Sequence, residues 1–324
     1  MIDASALATF CAHGGRVAEA RVLFGGDDWL DLSTGIAPWA WPVGDVPLHF
    51  DRLPEPGEIA ALEAAAAQAF GVADPAQVVA VPGTDMAMRL LAPLLAVERP
   101  AVVQPGYAGH RAAWPDAIPV VTPDAVTDHD LLVLANPANP DGRVVGRDTL
   151  LALAARLTIV VDEAYADPAG GLCDRANDRL IVLRSFGKFY GLPGVRLGFV
   201  VTGGNLGGRL RAMLGDWPVS SAAVAIGTTA YHDAAWRRAQ QARIDETGAL
   251  LDRLLDGAGL GIVGSAPLFR LIACERAIDL FYLLARHAIL TRPFADRDDG
   301  LRIGLPRGAA GLTRLAAALE EFRR

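Results

Sequence analysis

Between residues 78 and 201 the chain repeats one pattern: a short apolar run, a break marked by Gly or Pro, then a helical stretch. The runs are "VVAVPG" (78–83), "AVVQPG" (101–106), "LLVLANP" (131–137), "TIVVDEAY" (158–165), "RLIVLRSF" (179–186) and "RLGFVV" (196–201). A strand wetted on one face alternates apolar and polar residues, whereas a continuous run suits a strand covered on both faces. Helical patterns at 84–95, 148–156 and 207–214 fall between several of the runs. The predicted class is therefore α/β, with a mainly parallel sheet flanked by helices. Ligands of such sheets bind beyond the carboxyl ends of strands, where this chain keeps its Gly-rich and polar segments.

The ends of the chain read differently. A long helical pattern at 234–255 is followed by "GIVGSAPLFRLIA" (261–273), which reads as two strands about a Pro-containing turn. A helix at 276–287, the short strands "AILTRPF" and "LRIGLP", and a helix at 310–323 complete an α+β pattern. The expected division is an N-terminal arm (1–47) packing with the small domain, a large domain (48–220) and a small C-terminal domain (221–324). The arm is rich in Pro, Trp and Gly and is expected to be irregular; a helix at 58–70 then leads into the sheet.

Composition excludes several function classes. The chain has 324 residues, of which 52 % are hydrophobic, so it is not disordered. A net charge of −7 with no basic run gives no nucleic-acid footprint. No apolar stretch is long enough to span a membrane, and no secretory leader pattern is visible. The three cysteines (Cys11, Cys173 and Cys274) are scattered without metal-ligand spacing, so no metal is expected and a reducing, cytoplasmic setting is.

One residue count bears on chemistry. Of 30 basic residues, the only lysine is Lys188, in "RSFGKFYGLPGVRLGF" (184–199). Arginine replaces lysine wherever charge suffices, but only a primary amine condenses with an aldehyde. The aldehyde implied is pyridoxal 5'-phosphate, which also needs an acid for its ring nitrogen, a phosphate site and an aromatic cover. Asp162 ends a buried run and suits the ring nitrogen, with Tyr165 placed for the phenolic oxygen and Ala164 small enough to lie under the ring; alone, the Asp162–Glu163 pair reads equally as a strand end. Asn139 in "NPANPDG" offers an amide to the same oxygen or is an ordinary Asn-Pro turn. Gly83, Thr84 and Asp85 open a helix towards an anion, although Asp85 also suits a helix cap. Ser185 and Arg196 can add a hydroxyl and a guanidinium to that anion, and Arg196 equally suits a structural ion pair. Tyr107 can stack on a ring or fill the core. Arg302 in "LRIGLP" can clasp a carboxylate.

In their order along the chain, these segments resemble the fold-type I pyridoxal-phosphate enzymes of the aminotransferase class I/II group. "DEAY", "SFGKFYGLPGVRLG" and "LRIGLP" carry the resemblance, which covers nearly the whole chain. It implies a large domain with a mainly parallel sheet plus a smaller α+β domain, a homodimer, and the cofactor and substrate roles given above. "HGGRVAEARVLFG" (13–25), "WLDLSTGIAPWAWP" (29–42) and "RLPEP" (52–56) also resemble the L-threonine-O-3-phosphate decarboxylases of cobalamin biosynthesis. That group implies a small phosphorylated amino acid as substrate, with His13, Gly35, Ile36, Asn139 and Arg302 as its contacts and Lys188, Asp162 and Tyr165 as the catalytic set.

Three positions depart from common patterns of these relatives. Ala37 stands where many have Asn. Leu53 lies where related aminotransferases often carry a tyrosine that reaches a neighbouring subunit. Gly187 lacks the hydroxyl that many aminotransferases carry before the lysine. The second reading is histidinol-phosphate aminotransferase or another class I/II aminotransferase. A racemase or other lyase stays open, as does a non-catalytic sensing module, although no stretch suits the basic DNA-binding domain such modules carry.

Overall fold

Seven strands build the central sheet in the computed structural model, which describes residues 4–168 and 170–323 (side chains from residue 7). They are β1 (Val78–Val81), β2 (Pro100–Val103), β3 (Ile118–Val120), β4 (Leu131–Ala135), β5 (Thr158–Asp162), β6 (Leu180–Ser185) and β7 (Gly198–Val201). Their order is β1-β7-β6-β5-β4-β2-β3. β2 to β6 run parallel with one another, whereas β7 is antiparallel to both β1 and β6. All six apolar runs thus become strands. The seventh strand, β3, escaped notice because it is a three-residue edge strand, "IPV", with two exposed residues and a proline at its centre.

The helices in the same unit are α1 (Pro56–Phe70), α2 (Thr84–Leu95), α3 (Ala108–Ala113), α4 (Arg147–Ala154), α5 (Phe186–Phe189), α6 (Gly204–Leu214) and α7 (Ser221–His232). Met88 and Leu91 of α2 and Leu206 and Leu210 of α6 pack with Val79, Val81, Val133, Val160, Ile181 and Val200 in one core cluster. On α1 and α7, Phe70 and Tyr231 meet the ring of Phe199 at 5.6 and 5.4 Å. Each such side chain removed from water contributes about 1.5–3 kcal/mol, which is why unbroken apolar runs are favoured here. α7 was missed because "SAAVAIGTTAYH" mixes Gly, Val and Thr, poor helix formers that tertiary packing overrides. Its Gly227 is needed for close approach: a Cβ there would lie 2.7 Å from Leu62 of α1.

The chain divides into two compact units: Ala40–Asn139 with Arg143–Arg238, which holds the sheet, and Met1–Trp39 with Pro140–Gly142 and Ala239–Arg324. In the second unit, Leu30–Asp31 pairs with Ile289–Leu290 in parallel. Gly300–Gly304 and Phe269–Ala273 lie at the centre of an antiparallel four-stranded sheet, with Arg292–Pro293 and Gly261–Ala266 at its edges. The expectation of an irregular arm is corrected, because Ala4–Ala12 and Val17–Phe24 are helices. Alanine-rich sequence favours a helix; the arm's prolines all lie after residue 34, and the glycine pairs at 14–15 and 25–26 fall between and after the helices. Residues 1–3 and 324, which the expected domains include, lie outside the described residues.

Candidate active site

Alternation along two neighbouring strand ends sets the site. Successive strand residues point to opposite faces. Asp162, the last residue of β5, and Ser185, the last of β6, line one pocket. The residues beside them, Glu163 and Arg184, meet each other in a buried ion pair at 3.1 Å. Asp162 is 6 % exposed. Its Oδ1 accepts the Ala164 N–H at 3.1 Å, and its Oδ2 lies 3.2 Å from His110 Nε2.

Lys188 follows on α5, a single turn that starts where β6 stops. Phe186 and Phe189 of that turn are buried, three residues apart and so on one face, while Gly187 and Lys188 line the pocket. Lys188 Nζ sits 5.4 Å from the centre of the Tyr165 ring. Gly187 has no room for a side chain, since a Cβ would lie 2.8 Å from Pro193 Cα. The missing hydroxyl noted above therefore goes with close packing at this point.

Opposite charges and open amides collect at another edge of the pocket. Gly83 precedes α2 with φ +93°, a conformation that suits glycine, and a Cβ there would lie 2.8 Å from Arg196 Nη2. Thr84, Asp85, Ser185 and Arg196 line the same pocket. The first N–H groups of a helix have no partner within it and face outward with a partial positive charge. Together with a hydroxyl and a guanidinium they could hold an anion.

Tyr107 and Asn139 complete the lining. The Tyr107 hydroxyl donates to Asp85 Oδ1 at 3.2 Å. Burial and then the Asp85 carboxylate push its phenol up to about 12. The two asparagines of "NPANP" have separate tasks. Asn136 exchanges two hydrogen bonds with the backbone of Val145, at 3.1 and 2.9 Å, and fixes the loop. Asn139 faces the pocket.

The remaining expected residues, His13, Gly35, Ile36 and Arg302, belong to the other unit. His13 is exposed and Ile36 half-buried, while Gly35 is buried with φ +60°. Arg302 is 1 % exposed, donates to the Ser33 carbonyl at 2.6 Å and lies 4.9 Å from the Phe269 ring centre. Leu53 is 58 % exposed. Beside it, Arg52 holds Glu58 through two 2.7 Å hydrogen bonds, which, with the Glu55 backbone N–H, bring that carboxyl down to about 2.

Sequence reasoning missed His110. It is fully buried, and its Nδ1 has no hydrogen-bond partner among the described residues. Its position three residues after Tyr107, at the start of a helix, was the available signal. No cluster of metal-ligating side chains occurs among the described residues.

Residues 50–319 match the family model for aminotransferase class I and II. The chain belongs to the aminotransferase class I and II family. Pyridoxal 5'-phosphate is the cofactor of this family, and the class I/II pocket described above fits it. An amine, a buried carboxylate, a phenol and an amide lie around one pocket with an anion cradle that a Cβ at Gly83 would fill.

Two relatives match the class I/II chain nearly end to end. The threonine-phosphate decarboxylase of Pseudomonas aeruginosa is 38 % identical, over 96 % of this chain and 98 % of its own length. That of a Sinorhizobium species is 39 % identical, over 95 % and 97 %. Histidinol-phosphate aminotransferases are more distant relatives. The structure of the Sinorhizobium meliloti histidinol-phosphate aminotransferase, solved with pyridoxal-5'-phosphate, superposes with a TM-score of 0.79. At 22 % identity over 95 % of this chain and 94 % of that one, it speaks for the shared fold. No helix among the described residues is long and apolar enough to cross a membrane.

Proposed function

We propose that this chain is a pyridoxal-phosphate-dependent decarboxylase of L-threonine O-3-phosphate. Its product would be (R)-1-amino-2-propanol O-2-phosphate, used in cobalamin biosynthesis. The observation that carries the choice is the end-to-end likeness to threonine-phosphate decarboxylases. The pocket around the chain's one lysine supports the chemistry.

The bound cofactor supplies an aldehyde for an amine and a ring able to store the electron pair released when a carboxylate leaves as CO2. Lys188 would hold that aldehyde and yield it to the substrate amine. Asp162 would keep the ring nitrogen protonated; Tyr165 and Asn139 would donate to the phenolic oxygen, with Tyr107 against the ring face. Gly83, Thr84, Asp85, Ser185 and Arg196 would hold the phosphate. Arg302 would hold the substrate carboxylate, with His13, Gly35, Ile36 and Asn139 as further contacts. As CO2 departs, a proton must return to the same carbon, and Lys188 would donate it. We further propose a cytoplasmic homodimer whose sheet-holding unit binds the cofactor.

The test offers L-threonine O-3-phosphate without any oxoacid, and separately histidinol phosphate with 2-oxoglutarate. Release of one CO2 per substrate in the first assay is expected. Amino transfer in the second with no CO2 in the first would replace the proposal by the aminotransferase alternative.

A further inference from the structure

We propose that Arg184, Glu163 and Asp167 form a clamp that positions Asp162, Tyr165 and Lys188 without touching the pocket. The proposal rests on the cofactor role assigned to those three residues. Glu163 and Asp167 begin and end a five-residue turn with Tyr165 at its centre. One guanidinium holds both ends: Arg184 Nη1 donates to Glu163 Oε2 at 3.1 Å, and Nη2 donates to Asp167 Oδ1. The turn closes through the Ala166 N–H on the Glu163 carbonyl at 3.1 Å. Ala164 and Tyr165, between the two anchors, line the pocket.

The same guanidinium ties this turn to the lysine. Arg184 lies next to Ser185 and four residues before Lys188. Glu163 is bonded to the neighbouring strand as well, through its N–H to the Leu183 carbonyl at 2.9 Å. A further bond from the Leu172 N–H to Glu163 Oε1, at 2.8 Å, folds the following loop onto the carboxylate. Gly171 permits that approach, since a Cβ there would lie 2.2 Å from Glu163 Oε2.

The clamp is costly for a purely stabilising feature. Arg184, Glu163 and Asp167 are all at most 9 % exposed, and burial pushes the Glu163 carboxyl upward while Arg184 opposes the shift. Arg184 Nε and Asp167 Oδ2 have no partner among the described residues. Apolar residues of similar volume commonly replace such buried ion pairs at no loss of stability. What an apolar pair cannot do is fix two loop ends and a strand end to one planar group. Lysine, a point charge on a flexible stem, cannot do so either.

Asp167→Asn and Glu163→Gln test this, with Tyr165→Phe as reference. Each protein is titrated with pyridoxal phosphate; its dissociation constant, the pH midpoint of its visible band and the melting temperature without cofactor are recorded. The clamp predicts an affinity loss of about ten-fold or more in the carboxamide variants, and a midpoint moved in the same direction as in Tyr165→Phe. Should either folded variant match wild type in both affinity and midpoint while melting earlier, the network is structural and the proposal fails. If wild type itself forms no visible band, the cofactor assignment fails instead, which separates the two.

Discussion

His110 Nε2 lies 3.2 Å from Asp162 Oδ2 in a region from which water is nearly excluded. An imidazole so placed holds the carboxylate facing the pocket from behind. Removing the contact should cost about 1.5–3 kcal/mol, the range for a hydrogen bond to a charged group. His110→Leu is expected to weaken pyridoxal phosphate binding by about 10–100-fold, while His110→Gln restores part of it. Equal affinity of both variants, measured by absorbance titration, would show that the imidazole leaves the carboxylate's position unaffected.

Lys188→Ala should leave a folded protein that borohydride no longer links to pyridoxal phosphate. Turnover should fall by at least about 10²–10⁴-fold, the range attributed to a positioned proton-transfer group. Intact-mass measurement after reduction decides the matter, because retention of the adduct would place the covalent link on some other group.

Gly187→Ser restores the hydroxyl common in related aminotransferases but puts a Cβ 2.8 Å from Pro193 Cα. Overpacking of this kind costs about 1–3 kcal/mol. Urea unfolding of the cofactor-free protein is expected to show that loss, together with weaker cofactor binding as α5 shifts. A variant as stable as wild type would mean that the 192–195 segment yields freely.

Two buried phenols and a half-buried one are expected to set the alkaline limit. Burial, the largest cause in each case, raises the ionisation pH of Tyr107, Tyr190 and Tyr231 above the ordinary value of 10.0. Above that pH the unfolded chain loses these protons while the folded chain keeps them. Stability is therefore fully present below pH 10 and falls as the pH rises beyond it. Tyr190→Phe keeps the ring between Phe186 and Trp236, stacked at 4.5 and 5.6 Å, and should flatten the fall by about one proton. Denaturation midpoints measured from pH 8 to 11.5 would show an unchanged slope if Tyr190 were not involved.

The strands and pocket were legible because both rest on local chemistry. Unbroken apolar runs mark doubly covered strands, and residues such as Asp162, Ser185 and Gly83 stand at strand ends where the sheet itself gathers them. Lys188 stood out because arginine fills every other basic position. What could not be read depends on partners distant in sequence. His110 looks like any helical histidine until Asp162, fifty-two residues on, is seen against it. Arg184 is one arginine among many until Glu163 and Asp167 close on it. The arm helices were obscured by the glycine pairs that flank them and the Pro and Trp residues farther along the arm, and β3 by its brevity.

The lone lysine on α5 also makes the protein an unusual reagent target. Acylating or cross-linking chemistry aimed at lysine side chains has one address, and that address lies in the pocket. Labelling yield would then serve as an occupancy gauge for the site without any engineered tag. A lysine-specific protease could cut at only one bond, so its two-fragment pattern would report directly on whether that turn is open to solvent.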